Sequence, residues 1–86
     1  MPEISRFYGI VIKMFFDDHH PPHFHSLYGG HEALIAISTL AVIAGNLPPR
    51  AMGLVIEWAT LHQDALQADW ERAKALKPLD KIDPLP

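Results

Sequence analysis

Four of the six histidines fall within nine residues, Asp17-Asp18-His19-His20-Pro21-Pro22-His23-Phe24-His25, beside two aspartates. Imidazole nitrogens and carboxylate oxygens are metal donors, and the same groups carry protons. His23 and His25 are spaced as neighbours on one face of a strand. That makes them a workable pair for divalent zinc, nickel, copper or iron. Asp17, Asp18, His19, His20 or Glu32 could complete the set. Two other readings stand beside this one. The cluster could transfer protons or contact phosphate without a metal. It could also be structural, a Pro-Pro turn followed by an edge strand whose histidines blunt edge pairing.

The elements that must position these residues are legible from pattern. Residues 7–16 are rich in aromatic and β-branched side chains and read as the first strand, with Ile10, Ile12, Met14 and Phe16 toward the core. Residues 17–22 then form a turn. Residues 23–28 read as the second strand and Gly29-Gly30 as a two-residue hairpin turn. A tight turn there pairs Tyr28 with His31, Ser26 with Ala33 and Phe24 with Ile35. The third strand, 32–37, meets a fourth, 40–44, across Ser38-Thr39. A two-residue turn at that point pairs Ile37 with Leu40, Ile35 with Val42 and Ala33 with Ala44. Both hairpins agree on one core face: Phe24, Tyr28, Ala33, Ile35, Ile37, Leu40 and Val42. His23 and His25 then lie on the opposite face with Leu34 and Ala36. His31 lies by Tyr28 on the core side.

Asn46-Leu47-Pro48-Pro49 opens a helix, with Asn46 or Leu47 as its cap. A polar stripe of Arg50, Gly53, Glu57, Thr60, Asp64, Gln67, Glu71 and Lys74 keeps helical phase, which predicts one helix over about 48–75. Such a helix is about 40 Å long, against about 20 Å for a six-residue strand, so half of it overhangs the sheet. Two apolar stripes run along it. Met52, Val55, Ile56, Ala59, Leu66 and Trp70 form one; Leu54, Trp58, Leu61, Ala65 and Ala68 form the other. The second stripe calls for a second neighbour, most simply a homodimer mate. The C-terminal tail folding back over it is an alternative. A break near His62-Gln63-Asp64 into two helices is another. His62 itself reads as a core or interface histidine remote from His23 and His25. Residues 77–86 are proline-rich, with Leu79, Ile82 and Leu85 at regular spacing, and read as an extended arm.

The expected fold class is therefore α+β: a three- to four-stranded antiparallel meander on one long helix, with an extended tail, all one domain over 1–86. Composition agrees, with 49% hydrophobic and 20% charged residues. The absence of cysteine excludes disulfides and thiolate metal ligands. A net charge of −3 argues against strong non-specific nucleic-acid binding, and Arg6, Lys13 and Arg50 are too few for a basic surface. No apolar run approaches a membrane span, and Met1-Pro2-Glu3 does not begin a secretory leader, so a cytoplasmic protein is expected.

No nucleophile elbow, His-Glu-x-x-His pair, phosphate loop or dinucleotide fingerprint is present. Several blocks together resemble a bacterial family, domain of unknown function 4160. They are the Phe-Asp-Asp-His and Pro-Pro-His-Phe-His segments of 16–25, the Tyr-Gly-Gly-His-Glu turn at 28–32, Glu-Trp-Ala-Thr-Leu-His at 57–62, and the tail. The resemblance implies a small stand-alone protein, with a gene context similar to toxin–antitoxin pairs and a label of transcriptional regulator in some members. It supplies no catalytic residue.

Two function classes follow. In the first, the chain is an interaction module that holds a small protein encoded by a neighbouring gene, through Trp58, Leu61, Ala65 and Trp70. In the second, it is a small histidine-dependent enzyme of nuclease type. His23, His25, Asp17 and His19 are its candidate ligands, and a divalent ion such as zinc or nickel its cofactor. The lack of a complete catalytic set favours the first.

Overall fold

The computed structural model describes residues 3–86. Five strands, β1 (Glu3–Phe7), β2 (Ile10–Lys13), β3 (His23–Tyr28), β4 (His31–Ala36) and β5 (Val42–Gly45), form one antiparallel meander in chain order. Two helices follow, α1 (Pro49–Leu61) and α2 (Gln63–Lys74). The architecture is α+β, with one more strand and one more helix than the sequence pattern suggested.

The β3–β4 hairpin has the expected register, with Tyr28 opposite His31, Ser26 opposite Ala33 and Phe24 opposite Ile35. The expected first strand is instead a hairpin. Tyr8 (φ 51°) and Gly9 (φ 80°) both sit in the left-handed region, and Phe7 pairs with Ile10. Two positive-φ residues in a row make a two-residue turn whose twist suits a hairpin. Tyrosine is an unusual choice for the first of them, and that hid the turn.

The Ser38-Thr39 turn is longer than expected. Ala36 donates to Ala41 O (2.9 Å) and Leu40 donates back to Ala36 O (2.8 Å), with Leu40 at φ 61°. Ile35 still pairs with Val42, but a bulge after Leu34 moves the partner of Ala33 from Ala44 to Gly45. At the end of β5 the chain passes so close to Glu32 that a Cβ on Gly45 (φ +74°) would strike the Glu32 carbonyl. The core contains Ile10, Ile12, Met14, Phe24, Ala33, Ile35 and Ile37 as expected. Phe16, Tyr28 and Val42 are corrections, because all three are exposed, as is His31. Phe16 lies beyond the end of β2, and Tyr28 and Val42 sit at hairpin ends.

The long helix is two. His62 (φ −127°, ψ 25°) leaves helical geometry, and Gln63 turns its side-chain amide to the carbonyls of Ile37 (2.8 Å) and Ser38 (3.3 Å). The polar stripe stays in phase across the break, so periodicity alone could not reveal it. Helix α1 starts at Pro49 with Pro48 as its cap residue and no side-chain cap; Asn46 Oδ1 instead accepts the N–H of Leu47 (2.9 Å).

The tail lies over part of the second apolar stripe, at Trp58, the arrangement given above as an alternative to a homodimer mate. Ile82 and Leu85 are buried. Ile82 donates its N–H to Ile4 O (2.8 Å), Trp58 donates its indole N–H to Asp83 O (2.8 Å), and Tyr8 donates its hydroxyl to Pro86 O (2.7 Å). Asp69, wholly buried in α2, accepts the Asp80 N–H (2.9 Å) and is paired with Arg72 (2.8 Å). Trp58 lies under this cover, against Phe7 (5.3 Å) and Phe24 (5.9 Å). No helix of the described residues is long and apolar enough to cross a membrane.

Candidate metal centre

The loop between β2 and β3 is pinned at both ends. Asp17 (φ 53°) donates its N–H to Ala73 O of α2 (3.3 Å), and Pro22 O accepts the N–H of Ile37 (3.0 Å). Aspartate tolerates the left-handed region better than most residues. The reversal at Asp17 sends its carboxylate outward, 3.6 Å from Lys74 Nζ. The next residue, Asp18, turns inward. Its Oδ1 accepts the His19 N–H (2.8 Å), which leaves Oδ2 for the histidines.

Asp18 Oδ2 stands 3.1 Å from His23 Nε2 and 3.1 Å from His25 Nε2. His23 is 5% exposed, with its ring against Trp70 (5.4 Å). Phe15 sets its ring edge-on to His25 (4.6 Å, 88°). Each imidazole is also held from behind. His23 Nδ1 lies 2.8 Å from Pro21 O and His25 Nδ1 lies 3.0 Å from Glu32 Oε2. A carbonyl can only accept, so His23 carries its proton on Nδ1. In a neutral His23, the Nε2 lone pair therefore faces an acceptor oxygen. The contact is favourable only with a cation there, either a second proton on the ring or a metal ion.

The geometry suits a metal. Nδ1–H bonded to a carbonyl or carboxylate, with Nε2 turned inward, is the arrangement that fixes metal-ligating histidines. Ligand atoms about 2.1 Å from one ion stand about 3.0 Å apart at a right angle and about 3.4 Å apart at the tetrahedral angle. One donor atom from each of Asp18, His23 and His25 lies within 4.8 Å of the others.

Burial pushes the Asp18 carboxyl up. The His25 hydrogen bond, the His19 N–H and the nearby His23 and His25 charges outweigh it, and the group lies below the usual aspartate value.

His23 and His25 thus share a site with Asp18 and Glu32. Asp17 and His19 are outside it: Asp17 faces Lys74, and the His19 side chain is exposed. His20 packs on Trp70 (5.8 Å), and His62 stays with Trp58 (5.5 Å). Trp58 and Trp70, expected on a partner-binding face, are 0% and 2% exposed and belong to the chain's own core. Leu61 is 64% exposed and Ala65 half-buried.

A family model described as a domain of unknown function, DUF4160, matches residues 9–71. That span includes Asp18, His23, His25 and Glu32. No curated protein and no solved structure matches the chain.

Proposed function

The chain belongs to the DUF4160 family, a domain of unknown function, and we propose that it holds one divalent transition-metal ion at Asp18, His23 and His25 and uses it in hydrolysis. The observation that carries this reading is the paired anchoring of the imidazoles. Both Nδ1 atoms are engaged from behind while both Nε2 atoms face Asp18 Oδ2. Three protein ligands leave coordination positions for water and substrate, which separates a reactive site from a closed structural one. An ion there lowers the pKa of bound water toward neutrality and polarises the bond to be cleaved. Two imidazoles and one carboxylate suit zinc, nickel or ferrous iron better than calcium or magnesium.

Calorimetric titration of zinc and nickel into the tag-free protein tests the reading, with His23→Ala/His25→Ala and Asp18→Asn alongside. One ion per chain in the wild type is expected, lost in the double variant and strongly weakened in Asp18→Asn, with all three circular dichroism spectra alike. Equal binding in all three, or no binding in the wild type, removes it.

A second reading is an interaction module within a toxin–antitoxin-like or regulatory gene pair. It is favoured by exposed apolar side chains at Val42, Ile43 and Leu61. Its surface is β5 and the end of α1, not the buried tryptophans. Co-purification with the neighbouring gene product, reduced by Val42→Lys and Leu61→Lys, is its test.

A further inference from the structure

We infer that the ligand of this metal centre is a phosphodiester, one non-bridging oxygen on the ion and the other on the ammonium of Lys13. The inference rests on the metal reading above and adds the substrate class. Lys13 is the Cα partner of His25 across β2 and β3. Both side chains lie on the sheet face away from Ile12 and Phe24, which are in the core. Directly opposed side chains of neighbouring strands have Cβ atoms about 5 Å apart, which puts the four-carbon stem of Lys13 within range of a ligand on an ion at His25.

The charges around the site single out Lys13. On its other side Lys13 pairs with Glu3, but both Glu3 carboxylate oxygens are taken by Arg6 (3.2 and 2.8 Å). Lys74 stands with Asp17 (3.6 Å). Glu32 is bound to His25, and Asp18 is the ligand. No carboxylate among the described residues forms an ion pair with Lys13.

A doubly charged ion offsets Asp18 and Glu32 together. The Lys13 charge then remains, and a single negative charge neutralises the site. A phosphodiester is such a monoanion, with two equivalent free oxygens. A phosphomonoester dianion overcharges the site. Lysine is a common phosphate contact, acting as a point charge. An ion held by Asp18, His23 and His25 would supply the attacking water; in the hydrolysis the water oxygen bonds to phosphorus and one water proton passes to the departing ester oxygen. One P–O ester bond breaks. The products are a phosphomonoester and an alcohol, and no redox partner is needed.

The test uses the nickel-loaded full-length protein, with dimethyl phosphate as a diester probe and acetate as a carboxylate probe. Affinity is read from paramagnetic broadening of probe resonances, and nickel content is measured for every sample. Lys13→Ala should keep one nickel per chain and weaken dimethyl phosphate about tenfold, with partial recovery in Lys13→Arg. Nickel bound but diester affinity equal in wild type and Lys13→Ala overturns the inference and leaves the metal reading standing. Acetate bound as tightly and with the same Lys13 dependence overturns the diester assignment. Failure of the wild type to bind nickel removes both.

Discussion

His25 Nδ1 lies 3.0 Å from Glu32 Oε2, so a residue beyond the Gly29-Gly30 turn fixes the ring that Asp18 faces from the other side. The Glu32 side chain is half exposed and is paired with His25. Glu32→Gln should therefore leave the melting temperature nearly unchanged and weaken metal binding about 10–100-fold. Asp17→Asn, one residue from a ligand, should leave metal affinity unchanged. Parallel calorimetric titrations separate the two.

The Asp18 carboxyl lies below its ordinary value of 3.8. A carboxylate depressed in the folded state stabilises the fold fully above its unfolded value, and the contribution disappears as pH falls through the folded value. The metal-free wild type should therefore lose stability below about pH 4, and Asp18→Asn should lose less over the same interval. Urea midpoints measured across that range check it. Parallel curves for the two proteins would contradict it.

Two glycines should respond in opposite directions. Gly45→Ala places a methyl group on the Glu32 carbonyl at a positive φ and should destabilise by more than about 1 kcal/mol. A Cβ at Gly53 meets nothing in mid-helix, so Gly53→Ala should stabilise by about 0.5–1 kcal/mol. Chemical denaturation of the two variants beside the wild type measures both.

The tail should behave as core. Ile82→Ala and Leu85→Ala should each cost about 2–4 kcal/mol. Removal of residues 79–86 should expose Trp58 to solvent and red-shift its fluorescence. An unchanged spectrum in the truncated chain would show that Trp58 is covered by other means.

The sequence made the β3–β4 hairpin readable because glycine turn and apolar alternation agreed residue for residue. The β1–β2 hairpin escaped because Tyr8 occupies a backbone region that tyrosine rarely enters. The helix break near His62 stood only as an alternative to one long helix, for a different reason. His62 interrupts the backbone without shifting the phase of the polar stripe, and the Gln63 contacts with Ile37 and Ser38 are tertiary. At the site, spacing was enough to pair His23 with His25. Choosing Asp18 over Asp17 required the left-handed turn at Asp17, which two identical neighbouring residue types cannot announce. Apolar stripes could not distinguish a covering tail from a covering subunit.

The two borders of the sheet are not equivalent. Ile82 hydrogen-bonds the outer edge of β1, whereas no strand among the described residues pairs with the outer edge of β5. In polymer terms the sheet is monofunctional. Edge-to-edge joining through β5 stops at two copies, because each copy then presents only its stoppered side. The tail acts as a chain terminator. A protein cut before Ile82 would leave the β1 edge open as well, and contacts through β1, added to the β5 contact that closes a pair, would propagate a ladder.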